Sequence, residues 1–242
     1  MAKRSPTRLA KASDVIVEGI RDRILQERLV VGSPLPSESD LMDEYGLGRV
    51  TVRESLRLLE RDGIVRVKRG PHGGVFVGEP DVRRLGEVLT VLLAMRDTTV
   101  REFTDFRGSL EPQLAALTAK NATAEQRDVL RRIADDDDFA NQYDLHEALA
   151  DFCGNSVYTM AFYALEGAFL VHHRHRPLNP QAQAMKVAAH RKVARLAAAG
   201  DAEGARRAMS RHLDAYDEEM NLVGALDEPF IHYQGRGRGD LT

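Results

Sequence analysis

In the stretch G46-L-G-R-V-T-V-R-E-S-L-R-L-L-E-R-D-G63, Arg49, Arg53, Arg57 and Arg61 recur every four residues, while Val52, Leu56 and Leu59 recur at three and four on another face. The apolar spacing predicts a helix with one buried stripe. An arginine can bridge the O6 and N7 acceptors of guanine or pair with phosphate, so the row can read nucleic acid; it also fits a solvated helix face. Four-residue steps drift about 40° around a helix of 3.6 residues per turn. Arg49 and Arg53 are therefore the candidates for DNA contact at the helix start. Arg57 stands between a phosphate contact and the solvated face, and Arg61 reads as solvated. Thr51, in the first turn, can bond a phosphate or touch a thymine methyl.

Charge favours an anionic partner for this region. Arg49 to His72 holds seven Lys and Arg against three acidic residues. Residues 1–78 carry 14 basic against 11 acidic side chains and the rest of the chain 20 against 26, a basic front and an acidic back.

The elements around the arginine row predict how it is held. Ser13 as an N-cap, followed by Val15, Ile16, Ile20, Ile24 and Leu25, predicts a helix over about 14–27. The run V30-V-G-S-P-L-P-S37 breaks that pattern, and S37-E-S-D40 has the spacing of a capping box opening a short second helix. Gly46 and Gly48 bracket a turn, and Asp62-Gly63 stops the third helix. I64-V-R-V-K-R69 and V75-F-V77 read as two short strands about G70-P-H-G-G74. This is a winged helix-turn-helix layout over residues 13–78, whose second motif helix enters the major groove with its N-terminal residues toward the bases. Gly70, Gly73 and Gly74 let the wing backbone approach a phosphate or the minor groove beside Lys68, Arg69 and His72, although the same glycines also suit an ordinary hairpin.

From Val82 the signal is helical only, with apolar spacing over 85–95, 100–119, 124–133, 142–152, 157–173, 182–199 and 202–220. The fold class expected is mainly α: a winged helix-turn-helix followed by an all-α bundle over 82–224. Residues 79–81 form the linker, 1–12 a disordered basic N-terminus, and 225–242 a tail from which Phe230, Ile231 and Tyr233 could dock on a neighbouring surface. At 242 residues and 43% hydrophobic content the chain can build proper cores. Its one cysteine, Cys153, excludes an intrachain disulfide and a multi-cysteine zinc site and reads as a buried apolar thiol. No apolar run approaches the ~20 residues of a membrane span, so a cytoplasmic protein with no membrane partner is expected.

Taken together, G32-S-P-L-P-S-E38, G48-R-V-T-V-R-E-S-L-R-L-L-E60, G63-I-V and R69-G-P-H-G-G-V-F-V77, followed by R107-G-S-L-E111, L145-H-E-A-L149 with Gly154-Asn155, A189-H190, A199-G-D201 and M209-S-R-H212, resemble the GntR family of bacterial transcription regulators. The resemblance covers about residues 13–222 and points to the FadR-like subgroup with an all-helical FCD ligand-binding domain. It implies a homodimeric, cytoplasmic, ligand-responsive regulator, most often a repressor, on a palindromic double-stranded DNA operator. Arg49 and Arg53 match DNA-contacting positions. Where the family usually carries a DNA-contacting arginine this chain has Ser39, which implies a different or weaker contact there.

The resemblance also selects His146, His190 and His212 from the eight histidines. In the family they join an aspartate one turn before the first histidine to hold a divalent metal. Here that position is Gln142, an uncharged ligand that lowers the expected affinity. Zinc is the expected ion, ahead of nickel or manganese, and core histidines bonded to backbone or carboxylates remain the alternative. Asp138 is too far along the axis from His146, about 12 Å at 1.5 Å per residue, and Asp144 lies off its face. Arg107 matches an effector-facing position, where guanidinium suits a carboxylate; it can also pair with Glu111 four residues on. H172-H-R-H-R176 either lines the pocket mouth or ends a helix. The implied effector is an organic acid or acyl-type metabolite held by Arg107, Gln142 and the three histidines. Two rivals stand beside this reading: a metal-dependent enzyme using the three histidines, for which no matched general base is apparent, and an effector-free constitutive DNA-binding regulator.

Overall fold

The computed structural model describes residues 11–70, 73–137, 144–175 and 179–231. Two compact units divide at Asp81 and Val82. In the first, α1 (Ala12–Gln26), α2 (Glu38–Tyr45) and α3 (Arg49–Arg61) accompany an antiparallel sheet of β1 (Pro34–Leu35), β2 (Val65–Lys68) and β3 (Gly74–Val77), in the order β1-β3-β2. The hairpin register pairs Val65 with Val77 and Lys68 with Gly74. Ile16, Ile20, Leu35, Leu41, Val52, Leu56, Leu59, Val65, Val75 and Val77 form one buried core, so the apolar stripe of α3 faces inward and its arginines outward.

Local chemistry sets the ends of these helices. The Ser37 hydroxyl accepts from the Asp40 N–H while the Asp40 carboxylate accepts from the Ser37 N–H, a reciprocal cap on α2. Gly46 ends α2 in the left-handed region at φ 64°, and Gly48 starts α3. Two expectations change here. The residue before α1 is Lys11, and Ser13 is buried inside the helix, its carbonyl accepting from the Ser55 hydroxyl at 3.1 Å. The segment expected only as a break supplies β1, because Pro34 lacks an N–H and sits on an edge strand where no further ladder bond is needed.

The second unit is built from α4 (Val82–Met95), α5 (Val100–Asn121), α6 (Ala124–Asp135), α7 (Leu145–Phe152), α8 (Ser156–His175), α9 (Pro180–Ala198) and α10 (Ala202–Leu222). Helix α5 is central and packs along α10; α9 packs against α6 and α10, and α4 against α8. The main core joins Leu114, Ala115 and Ala119 to Leu130, Leu149, Val193, Ala197, Ala205 and Met209. Its many alanines let the helices approach closely. The Arg127 guanidinium donates to the carbonyls of Ala119, Ala122, Ala197 and Ala198, capping the ends of α5 and α9 together.

Residues 225–231, set apart by sequence as the start of a tail, belong to the helical unit. Ala225, Leu226, Phe230 and Ile231 are buried in a second core with Val100, Phe103, Ala168 and Met220, and Pro229 bridges to Thr99. The short periodicity hid this because the segment packs as a strap without regular structure. Tyr233 lies outside the described residues. Among the described residues no helix is long and apolar enough to cross a membrane.

Candidate functional site

The first candidate surface is the start of α3. Gly48 is its N-cap, which makes Arg49 the first helical residue, and Arg49, Arg53 and Arg57 are exposed. Arg49 and Arg57 have no ion pair among the described residues, so their cations are available to an anion. Arg53 lies 3.6 Å from Glu38 in an exposed, loose pair. Arg61 instead bonds its neighbour Asp62 at 3.1 Å, in keeping with the solvated reading. Thr51 is half-buried in the first turn. Ser39 shares a 2.8 Å hydrogen bond with the Ser37 hydroxyl and so is tied to the α2 cap.

One residue of this surface escaped the sequence reading. Val50 is 81% exposed on the first turn of α3, between Arg49 and Thr51. An outward apolar side chain here is suited to a thymine methyl. The signal was available, because Val50 falls outside the stripe of Val52, Leu56 and Leu59.

In the wing, Lys68 and Arg69 are exposed, and the Lys68 ammonium sits 5.1 Å from the Phe76 ring centroid. A Cβ on Gly73 would meet the Lys68 carbonyl oxygen at 2.5 Å and the Gly70 carbonyl oxygen at 2.8 Å. Hairpin geometry alone therefore requires glycine at 73, and it brings bare backbone to the tip beside the two cations. His72 lies outside the described residues.

The second candidate site lies in the helical unit. His146 on α7, His190 on α9 and His212 on α10 converge: His190 Nε2 is 3.1 Å from both His146 Nε2 and His212 Nε2, and the candidate ligand atoms lie within 4.8 Å of one another. Glu111 on α5 accepts from His146 Nδ1 at 2.5 Å and from Arg107 Nε at 2.5 Å. Burial pushes the Glu111 carboxyl up, but Arg107 and His146 outweigh it and hold it well below the usual range. With Nδ1 taken up by Glu111, His146 turns its Nε2 toward the other two rings. Burial, then the neighbouring histidines, holds His190 well below the ordinary imidazole value; burial above all lowers His212, to about 3. Imidazole nitrogens turned to one point are the donor set a divalent ion takes. Gln142 lies outside the described residues.

The Arg107 guanidinium stacks over Phe169 at 3.8 Å, and Arg107 lines two adjoining cavities, of about 430 and 190 Å³. His146, Phe169 and Lys186 also line both. Arg107 makes the ion pair with Glu111 and faces both cavities at once. Asp144 caps α7, accepting from the N–H groups of His146 and Glu147. Glu166 on α8 lines the smaller cavity and bonds Arg83 of α4 at 3.2 Å. His172 is buried within α8, with Nδ1 2.8 Å from the Phe230 carbonyl and Nε2 2.8 Å from the Tyr216 hydroxyl, so it ties α8 to α10 and the strap instead of lining a mouth.

Sequence reasoning missed Lys186 and saw Glu111 only as a partner of Arg107. Lys186 stands one turn before His190, a spacing that places it on the same helix face. Nothing in the sequence relates positions 111 and 146, since their contact depends on how α5 and α7 pack.

Residues 12–77 match the description "Bacterial regulatory proteins, gntR family", and residues 102–215 match the FCD domain. The chain is 28% identical over 174 residues to the HTH-type transcriptional repressor NanR of Enterobacter sp. (strain 638), covering 67% of this chain and 66% of that one. It is 28% identical over 218 residues to the "Putative L-lactate dehydrogenase operon regulatory protein" of Escherichia coli (strain K12), covering 84% of each. The solved structure of Streptococcus agalactiae GntR superposes with a TM-score of 0.58 at 22% identity, over 85% of this chain and 99% of that one, a likeness of fold.

Proposed function

The chain belongs to the gntR family of bacterial regulatory proteins, with an FCD domain following its winged helix, and on that premise we propose a repressor that an organic-acid effector releases from its operator. The observation that carries this reading is the junction of Arg107, His146, Phe169 and Lys186, which line both cavities of the helical unit, with His190 and His212 gathered against His146. Cations and neutral imidazoles on facing helices are built to hold a carboxylate. The relatives named as a repressor and a lactate operon regulator favour the same kind of control.

His146, His190 and His212 would hold a divalent ion, zinc first, with Gln142 as a weaker further ligand than the family's aspartate. Bound there, the ion would supply a Lewis-acid contact for an effector carboxylate. Glu111 orients His146 for that purpose, and Arg107 presents its guanidinium to the cavities.

Release follows from differential affinity: the effector favours the arrangement that fits it and can shift the equilibrium only as far as its affinities differ. Glu166 is the natural transmitter. It lines the smaller cavity and holds Arg83 in the first turn of α4, the helix that opens the unit directly after the DNA-binding unit.

A homodimer completes the reading. Leu85, Val88, Leu92 and Met95 recur at three and four along α4 with exposures of 53, 65, 43 and 76%. A second copy of the chain would cover this apolar stripe and present two winged helices to a palindrome. Duplexes selected from a random library by the full chain, followed by anisotropy titrations with and without carboxylates, test the proposal. Selection of palindromes that carboxylates displace supports it; absence of sequence preference overturns it.

A further inference from the structure

The smaller cavity differs in chemistry from the larger one. Its wall is Phe103, Phe106, Leu110, Phe162, Leu165 and Leu170, with Phe169 at the junction. The larger cavity is rimmed by Asn179, Gln181, Lys192, Arg211, Glu218 and Glu219. A cavity of about 150 Å³ lined by Leu, Ile and Phe takes up benzene. The chamber here, at about 190 Å³, is close to that size and has room for one such ring.

The polar groups at this chamber already have partners. Glu111 serves Arg107 and His146, Glu166 serves Arg83, and Asp144 caps α7. A hydroxylated effector would push its hydroxyls against phenylalanine and leucine and leave them unpaired, which is costly. Lys186, by contrast, is half-buried on α9 and forms no hydrogen bond or salt bridge among the described residues. It lines both cavities with Arg107, which comes from α5 on another wall. Two cations from two helices therefore stand where an apolar, ring-sized chamber adjoins the larger cavity.

We infer that the effector is an amphipathic monocarboxylate bearing a single aromatic or alicyclic ring, its carboxylate between Arg107 and Lys186 and its ring in the chamber of Phe103, Phe106, Leu110, Phe162, Leu165 and Leu170. This inference rests on the reading of the helical unit as a carboxylate sensor and names the class of acid it senses.

Calorimetric titration and thermal shift on the full chain test it with phenylacetate, cyclohexanecarboxylate, lactate, gluconate and the uncharged 2-phenylethanol. The ring acids bind at least ten-fold more tightly than lactate and gluconate. Leu170→Trp, at a half-exposed position of the wall, weakens the ring acids ten-fold or more and leaves lactate unchanged. Phe106→Ala enlarges the chamber and shifts preference toward the two-ring naphthylacetate, an independent readout should the tryptophan variant not fold. Lys186→Gln weakens every carboxylate several-fold. Tighter binding of lactate or gluconate than of the ring acids, or indifference of the ring acids to both wall variants, overturns the inference and leaves the carboxylate sensor intact. Equal binding of 2-phenylethanol and phenylacetate, or no binding by any acid, overturns both.

Discussion

Glu111 Oε2 lies 2.5 Å from His146 Nδ1, and the other oxygen of the same carboxylate lies 2.5 Å from Arg107 Nε. One buried carboxylate thus fixes the ring of a proposed metal ligand and the side chain of a proposed effector clamp, from α5 to α7. Glu111→Gln keeps the shape and removes the charge. Losing the hydrogen-bond partner that orients a ligating histidine costs about 10- to 100-fold in metal affinity. Competition of purified protein against a zinc chelator should show a loss in that range, and unchanged affinity would leave Glu111 only a structural role. The same change strands Arg107, so the metal-free protein should also lose stability, by up to about 3–5 kcal/mol for a broken buried pair.

At the DNA face, Arg49→Ala should weaken specific operator binding by about 1–3 kcal/mol per half-site, the worth of one bidentate base contact, while the thermal midpoint stays put. Arg61→Ala, removing a side chain already paired to Asp62, should change neither. Anisotropy on a selected operator separates the two, and equal effects would mean that the row acts as a diffuse charge with no base reading. Val50→Ala should lower affinity only for operators with a thymine at the facing position.

Arg83→Ala is expected to separate binding from response. Its guanidinium joins Glu166 of the cavity wall, at 3.2 Å, to the first turn of α4. The variant should bind operator and effector with near-native affinity yet need at least ten-fold more effector for release. Release at the native effector concentration would show that the signal travels by another route.

The parts of this architecture that local pattern encodes were legible in the sequence. The stripe of Val52, Leu56 and Leu59, the S37-E-S-D40 cap and the glycines around the wing each act within a few residues, so spacing alone placed α2, α3 and the hairpin. The helical unit was legible as helices but not as a site. Lys186 and Phe169 acquire a role only when α5, α8 and α9 meet around the two cavities, and Glu111 finds His146 across 35 residues of chain. The strap at 225–231 was obscure for a related reason: its apolar residues answer to pockets on α5, α8 and α10 and follow no period of their own.

Acid should destabilise the metal-free protein through the histidine cluster. His190 and His212 have folded-state values depressed by burial, His212 to about 3, while a free imidazole titrates near 6.5. Between those values the unfolded chain binds protons that the folded chain refuses. Stability therefore rises with pH across this window; the contribution is fully present above about pH 6.5 and is lost as pH falls toward 3. Ordinary carboxylates titrate at the acid end, but Glu147, raised to about 7 by its hydrogen bond to Glu166 and by burial, gains stability as pH falls through the same window. The diagnostic is therefore the difference between the chain and a histidine variant from pH 7 to 5. Thermal midpoints of chelator-treated protein should fall between pH 7 and 5, and more shallowly for the His190→Gln, His212→Gln double variant, which has no imidazole to protonate at those positions. Excess zinc should flatten the upper part of the curve, because a ligand that binds only the folded state competes with the protons for the same nitrogens. The same pH dependence in the chelated chain and in the double variant would mean that the rings are solvated and the cluster is open.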